Sequence, residues 1–297
     1  MRRIKPAFID SPQTSTRYPM EVSFVKLSGA GNDFVGVNNL EGALGTTDQF
    51  ALARSLCDRH FGIGADGLLV LEQSTKAQFR MMYYNADGSY GGMCGNGGRC
   101  AALYARSLGM TQDPLRFEAL DYIYEAEFLE DGIRVRMKDP VDICRNISVQ
   151  LPDGKRTVHA IDTGAPHVVV FVGDLPSIQV EDIGKQLREH GQFMPKGANV
   201  NFVQRLGDNA IAMRTYERGV EAETLACGTG SIASATISHL ELGMNSPIRI
   251  RTWSRQWLTV RFKPAGDSIT DVSLEGPATI VFRGTTFYDP AEKSLRS

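Results

Sequence analysis

The sequence predicts an α+β fold of two pseudo-symmetric halves with mainly antiparallel sheets. Three observations predict it. One Cys-Gly motif recurs at a fixed offset, β-rich runs follow one another directly, and helical spacing is confined to four stretches.

The repeat carries the most weight. Cys94-Gly95-Asn96-Gly97 resembles Cys227-Gly228-Thr229-Gly230, 133 residues further on. At the same offset Gly31 falls on Gly164, Gly64-Ala65 on Gly197-Ala198, and Tyr83 on Tyr216. The helical stretches after both motifs end near Leu-Gly-Met, at 108–110 and 242–244, where the offset has slipped by one. In a chain with 30 glycines single Gly matches arise by chance, so the constant offset is what counts. Two homologous halves follow, roughly 21–140 and 141–285, with equivalent motifs facing each other across a cleft.

In chain order, alternating or β-rich runs occur at 21–27, 67–72, 78–84, 134–137, 167–172, 210–216, 258–262 and 279–282. Gly, Pro, Asp and Asn break them, as turns between strands require. Helical spacing predicts helices at 48–57, 99–108, 180–190 and 231–242. Strands outnumber helices and usually succeed one another directly, which argues against a doubly wound nucleotide fold. Residues 1–20 read as a polar tail with Pro6, Pro12 and Pro19 and no apolar core of a secretory signal; Met20 offers an alternative start.

At 297 residues the chain can hold two domains, each with its own core. A net charge of −2 and the lack of a Lys/Arg cluster give no footprint for nucleic acid. No apolar run approaches the roughly 18 residues that span a bilayer. The expected partner is therefore a small polar molecule, with no nucleic acid and no membrane. Five cysteines without an export signal suit a reducing cytoplasm better than a disulfide scaffold. There is no Cys-x2-Cys pair and the five histidines are scattered, so no metal is expected.

Each Cys-Gly-x-Gly stands immediately before a helical stretch. Glycines let the backbone turn sharply and approach a ligand. The first N–H groups of a helix have no intrahelical partner and favour a carboxylate, and they also favour thiolate over thiol. Each half thus supplies a proton-transfer group beside a carboxylate cradle. Two such units facing one another suit inversion of an amino-acid α-carbon, one thiolate taking the proton while the opposed thiol delivers one. N–H donors on the substrate carboxylate would stabilise the charge that develops there. Cys57, Cys100 and Cys144 have no counterpart at the offset and read as small buried hydrophobes.

At these residues the chain resembles the diaminopimelate epimerase family, over 24–284. The similar segments are Gly29-Ala30-Gly31-Asn32-Asp33-Phe34, Gly62-Ile63-Gly64-Ala65-Asp66-Gly67, Asn85-Ala86-Asp87-Gly88-Ser89 and Met93-Cys94-Gly95-Asn96-Gly97. In the second half they are Gly164-Ala165-Pro166-His167, Asn199-Val200-Asn201-Phe202, Tyr216-Glu217-Arg218-Gly219, Glu223 through Gly230, and Leu274-Glu275-Gly276-Pro277-Ala278. The resemblance implies interconversion of LL- and meso-diaminopimelate for lysine and cell-wall synthesis, with no cofactor, neither pyridoxal phosphate nor metal. It implies two domains, each a sheet curled around a central helix, with 273–297 returning to the first domain (21–140) and 141–272 forming the second. A homodimer follows by analogy.

Joined to the chemistry, the match makes Cys94 and Cys227 the acid/base pair, with His167 and Glu217 beside them as polar support. Gly95-Asn96 and Gly228-Thr229 would hold the reacting carboxylate. Asn32, Asn85, Asn199 and Arg218 would bind the distal end, where a guanidinium fork suits a carboxylate. Ala165 departs from the Asn of many relatives, Gly67 from a Gln of some, and Tyr90-Gly91-Gly92 from a Glu-containing stretch, so substrate range is less constrained than reaction type. Trp253 and Trp257 are expected to pack on one strand face. The rival readings are a proline or hydroxyproline racemase, which tends to carry His where Asn96 stands, and a binding protein or isomerase of the same fold, which can lack one or both cysteines.

Overall fold

The computed structural model describes residues 19–296, so the polar tail lies almost wholly outside the described residues. The first half contains β1 (Met20–Gly29), β2 (Asn32–Asn39), α1 (Gln49–Cys57), β3 (Gly67–Glu72), β4 (Phe79–Asn85), α2 (Gly95–Ser107), β5 (Leu115–Ala119), β6 (Tyr122–Leu129) and β7 (Gly132–Arg136). The second contains β8 (Val141–Leu151), β9 (Gly154–Asp162), β10 (Pro166–Phe171), α3 (Val180–Arg188), β11 (Asn199–Gly207), β12 (Ala210–Glu217), β13 (Ala222–Thr224), α4 (Gly228–Leu242), β14 (Ile248–Arg251), β15 (Trp257–Ala265) and β16 (Ser268–Gly276). Two last strands follow, β17 (Thr279–Asp289) and β18 (Ser294–Arg296).

Pairing is continuous through both halves. β17 lies antiparallel to β1, and the ladder runs from β1 through β2 to β7. β7 then pairs with β16, and the ladder continues through β15, β14, β12, β11, β10 and β9 to β8. Among the described residues only β2–β3 and β4–β5 in the first half, and β10–β11 and β12–β14 in the second, are parallel. This is the α+β architecture that the repeat predicts, and the two halves share one pairing pattern.

Equivalent glycines explain why the halves bend alike. Gly31 and Gly164 have φ of 109° and 97°, Gly64 and Gly197 of 78° and 63°. Side chains with a Cβ rarely adopt those angles, so both halves spend glycine on the same turns. Gly109 and Gly243, just past the ends of α2 and α4, are left-handed too.

Helices α2 and α4 are enclosed by the sheet. Cys100, Ala101, Ala102 and Ala105 of α2 are fully buried, as are Ile232, Ala233, Ala235 and Ile237 of α4. A helix buried on every side needs small residues where strands pass close, and both sequences supply them. One apolar core joins these helices to Leu27, Phe34 and Phe117 on one side and to Ile250, Val260 and Leu274 on the other. The outer faces carry α1, with Leu52 and Leu56 on Val35 and Val70, and α3, with Leu187 on Val168 and Phe202. Asp48 caps α1 by accepting from Phe50 and Ala51 N–H at 3.1 and 3.2 Å.

Three expectations need correction. Helices α2 and α4 start at Gly95 and Gly228, one turn earlier than the apolar spacing indicates, because glycines of the first turn carry no side chain to register a period. Cys144 is exposed on β8 rather than buried. Trp253 lies in a turn and Trp257 opens β15, so they do not share a strand face. Each packs under a guanidinium, Arg214 and Arg249 respectively, at 4.3 Å.

Candidate active site

Cys94 and Cys227 are the N-caps of α2 and α4. Both have extended backbones, with φ/ψ of −118°/124° and −128°/115°. In place of the usual capping oxygen, their sulfurs accept from the N–H of Gly97 at 3.5 Å and of Gly230 at 3.4 Å. Thr229 Oγ1 lies 3.6 Å from the Cys227 sulfur. The motif thus produces one local geometry twice.

The two first turns touch. A Cβ on Gly228 would lie 3.3 Å from Gly95 Cα and 3.5 Å from Asn96 N. A Cβ on Gly95 would lie 3.7 Å from Gly228 Cα, and Leu274 Cδ2 covers both glycines at 2.8 and 3.1 Å from those positions. Two helix N-termini so close bring their unpaired N–H groups and positive poles to one place, which is a cradle for an anion.

Loss of water dominates the thiols. Burial pushes Cys94 up to about 11, against the N–H donors of Gly97 and Asn96. Burial, and then the Glu217 carboxylate, pushes Cys227 above the ordinary thiol range; this residue is 6% exposed. The sequence predicts lowered thiols from the helix N-termini alone, and at these sulfurs desolvation outweighs those donors.

His167 on β10 is 1% exposed and buried among apolar strands. Its Nδ1 faces Asn201 Nδ2 at 3.0 Å, and the same amide nitrogen faces the Val168 carbonyl at 3.3 Å. A carbonyl only accepts, so the amide presents its NH2 there, and Nδ1 must accept from it. The ring proton therefore sits on Nε2, which is buried and has no partner among the described residues. Burial, and then the charge of Arg218, holds the imidazole down to about 3. Glu217, at the end of β12, is raised by burial, and its charge opposes ionisation of both cysteines.

The remaining site residues form two hydrogen-bonded pairs, with Asn85 apart from both. Asn96 Nδ2 donates to Asn32 Oδ1 at 2.5 Å, so those two amides join at the start of α2. Asn199 Oδ1 accepts from Arg218 N–H at 2.9 Å, while the Arg218 guanidinium donates to the Lys196 carbonyl at 3.0 Å. Asn85 is held in its own turn, donating to Ser89 Oγ at 2.9 Å, and among the described residues no hydrogen bond joins it to Asn199 or Arg218. A cavity of about 360 Å³ beside His167 is lined by Asp162, Pro166, Phe193 and Lys196. Among the described residues no group of three or more His, Cys, Asp or Glu is placed to hold a metal ion.

Sequence reasoning alone does not find Arg99, Asp66, Asn201 or Thr215, which build the site from behind. Arg99 stands five residues after Cys94 and donates to Asn96 Oδ1 at 2.6 Å. Asn201 lies in the same Asn-Val-Asn-Phe run as Asn199, and accepts from Thr215 Oγ1 at 3.0 Å. The sheet pairing, which is not local in sequence, brings them together.

A family model described as "Diaminopimelate epimerase" matches residues 24–143 and 159–280, in two stretches that follow the repeat. The chain is 43% identical to a diaminopimelate epimerase of Chlorobaculum tepidum, over 87% of this chain and 99% of that protein. It is 37% identical to one from Aquifex aeolicus, over 89% and 97%. Among solved structures, a hydroxyproline epimerase from Agrobacterium vitis superposes with a TM-score of 0.72 at 16% identity, covering 93% of this chain and 94% of that one. A phenazine biosynthesis protein of Bacillus anthracis gives 0.68 at 14% identity, covering 89% and 98%. At such identities these two show a common fold and nothing about substrate. By the family match and the curated relatives, this chain belongs to the diaminopimelate epimerase family.

Proposed function

We propose that this isomerase interconverts LL- and meso-diaminopimelate by a two-thiol exchange at one α-carbon. The supporting observation is that Cys94 and Cys227 cap two helices whose first turns are in contact, so two sulfurs and one anion cradle share a site. The reacting carboxylate would lie against the N–H groups of Gly95-Asn96 and Gly228-Thr229. One sulfur, as thiolate, removes the α-proton; the charge spreads into the carboxylate, where the N–H donors stabilise it. The other sulfur, as thiol, gives its proton to the opposite face. The enzyme then holds thiolate and thiol in exchanged places, and proton exchange with water or substrate resets it.

His167 and Glu217 act as polar support for the thiols, and Asn32, Asn85, Asn199 and Arg218 grip the distal end. Burial raises both thiols, and a substrate ammonium beside them, together with the cradle N–H groups, would favour the thiolate. The reaction proceeds without pyridoxal phosphate or metal. The proposed setting is the cytoplasm, with a homodimer as the working assembly and lysine and peptidoglycan precursors as the destination. No helix of the described chain is long and apolar enough to cross a membrane.

The test is α-proton exchange with deuterated water, followed in wild type, Cys94→Ala and Cys227→Ala with LL-diaminopimelate and with L-proline. Inversion of diaminopimelate by wild type and loss of inversion in both variants is expected. Full turnover in either variant would remove the two-thiol mechanism, and activity on proline alone would overturn the substrate.

A further inference from the structure

Arg99 is the largest fully buried side chain in the described chain, at 0% exposure. Among the described residues no carboxylate pairs with it. Its donors go instead to neutral oxygens: Nη2 to Asn96 Oδ1 at 2.6 Å, Nη1 to the Gly95 carbonyl at 3.4 Å, and Nε to the Pro277 carbonyl at 3.4 Å. Gly276 makes room for it, since a Cβ there would lie 3.2 Å from Cζ and Nη2. A buried cation without an anion is costly, so this position is not one that stability alone would select. At the repeat offset α4 carries Ile232, so only the first half has the charge.

The hydrogen bonds from Arg99 form a directed chain. A guanidinium can only donate, so Asn96 turns its oxygen to Arg99 and its NH2 to Asn32 Oδ1, 2.5 Å away. Asn32 must then offer its own NH2 to Asp66 Oδ2 at 3.1 Å, and a carboxylate can only accept. Both ends fix the same sense, so neither amide is free to flip. Near its start the chain also touches the Gly95 carbonyl. That carbonyl and the Asn96 N–H belong to one planar trans peptide and point in opposite directions. With Nη1 on the oxygen, the N–H is polarised and aimed away from Arg99, and Asn96 N is the atom that lies near Gly228.

We propose that Arg99 is a positioning residue for the reaction, its buried guanidinium fixing the donor sense of Asn96 and Asn32 and strengthening the Gly95–Asn96 half of the carboxylate cradle. This rests on the two-thiol reading of the same site. The guanidinium also adds positive charge close to Cys94, whose ionisation it favours. The other groups that act on that sulfur are Glu217, the N–H groups of Gly97 and Asn96, and Tyr83, Cys100 and Cys227, each close enough to interact with it.

The experiment compares Arg99→Met and Arg99→Lys with wild type in two readouts. The first is kcat/KM for diaminopimelate, corrected for folded fraction by circular dichroism. The second is the pH profile of Cys94 alkylation by iodoacetamide in a Cys227→Ala background, followed by peptide mass spectrometry. Arg99→Met should lose roughly 10- to 100-fold in kcat/KM, and its alkylation profile should move to higher pH by about one unit. Arg99→Lys, which keeps the charge but not the fork, should leave the alkylation profile near wild type and recover part of the activity. An unmoved alkylation profile in Arg99→Met, or activity lost only in proportion to unfolded protein, overturns the proposal. If Arg99→Met does not fold, Arg99→Lys decides alone: wild-type kcat/KM, or an alkylation profile shifted despite the retained charge, overturns it. Wild type inactive on diaminopimelate would instead sink the functional reading, and the alkylation arm would still report on Arg99.

Discussion

Gly95 and Gly228, the first residues of the two enclosed helices, are so close that a Cβ on Gly228 would sit 3.3 Å from Gly95 Cα. This contact is what brings two capping sulfurs into one site. A methyl at Gly228 must push Gly95 Cα and Leu274 Cδ2 by a few tenths of an ångström, and Gly95 is backbone of the cradle. Gly228→Ala is expected to cost about 1–3 kcal/mol of stability by overpacking. It should cost on the order of 100-fold or more in kcat/KM by widening the cradle. A denaturant melt with steady-state kinetics checks both; near-native kcat/KM would show that the cradle tolerates the shift.

Cys144 is the one exposed thiol among five free cysteines, on the largely exposed strand β8. It should therefore react first with a thiol reagent such as dithionitrobenzoate, in a single fast phase. Cys144→Ser should remove that phase and keep activity within about twofold, as surface substitutions usually do. Loss of activity on modifying Cys144 alone would mean that β8 communicates with the cleft.

The buried imidazole of His167 gives the fold an acid limit. Burial, and then Arg218, lowers it from 6.5 to about 3. The neutral ring is thus favoured in the fold, and its contribution is present above pH 6.5 and is lost as pH falls from 6.5 toward 3. In that window each pH unit should raise the unfolding equilibrium constant by up to about tenfold through this one group. His167→Gln should flatten that part of the stability curve in urea melts between pH 7 and 4. An unchanged slope would mean that His167 is not held neutral.

The sequence makes the repeat, the α+β class and the two cysteines legible because each leaves a local mark. Glycines at one offset force matching turns, and a Cys-Gly-x-Gly run is chemically odd wherever it appears. The helix starts are less visible, since Gly95, Gly97, Gly98 and Gly228 have no side chains to show a period. The raised thiols are invisible as well: local geometry predicts lowering, and the opposing desolvation comes from strands far away in sequence. Arg99 is hidden for the same reason, because only the return of Gly276-Pro277 through β16 turns a helical arginine into a buried one. Cys144 misleads because alternating strand residues read as apolar context, whereas β8 is exposed along most of its length.

Asp33 and Asp66 each accept the other's backbone N–H, at 3.0 and 3.1 Å, and so tie the start of β2 to the start of β3. Lys26, 8% exposed, donates to Asp33 Oδ2 at 2.7 Å, and Arg59 adds a two-pronged contact at 2.8 and 3.2 Å. Burial pushes the Asp33 carboxyl up, but Arg59 and then Lys26 outweigh it and hold the group down at about 2. The folded value is depressed, so the contribution is present above the ordinary 3.8 and is lost as pH falls through about 2. Asp33→Ala leaves Lys26 with only the Gly64 carbonyl, takes both contacts to this carboxylate from Arg59, and leaves the Asp66 N–H only the backbone carbonyl of residue 33. Breaking such a part-buried pair should cost about 2–4 kcal/mol at neutral pH. It should also loosen Asp66, the acceptor end of the amide chain through Asn32, so kcat/KM should fall more than stability alone accounts for. Guanidinium melts at pH 7 and pH 2.5 check the first claim, because the difference between wild type and variant should shrink in acid. A constant difference at both pH values would mean that charge is not what Asp33 contributes.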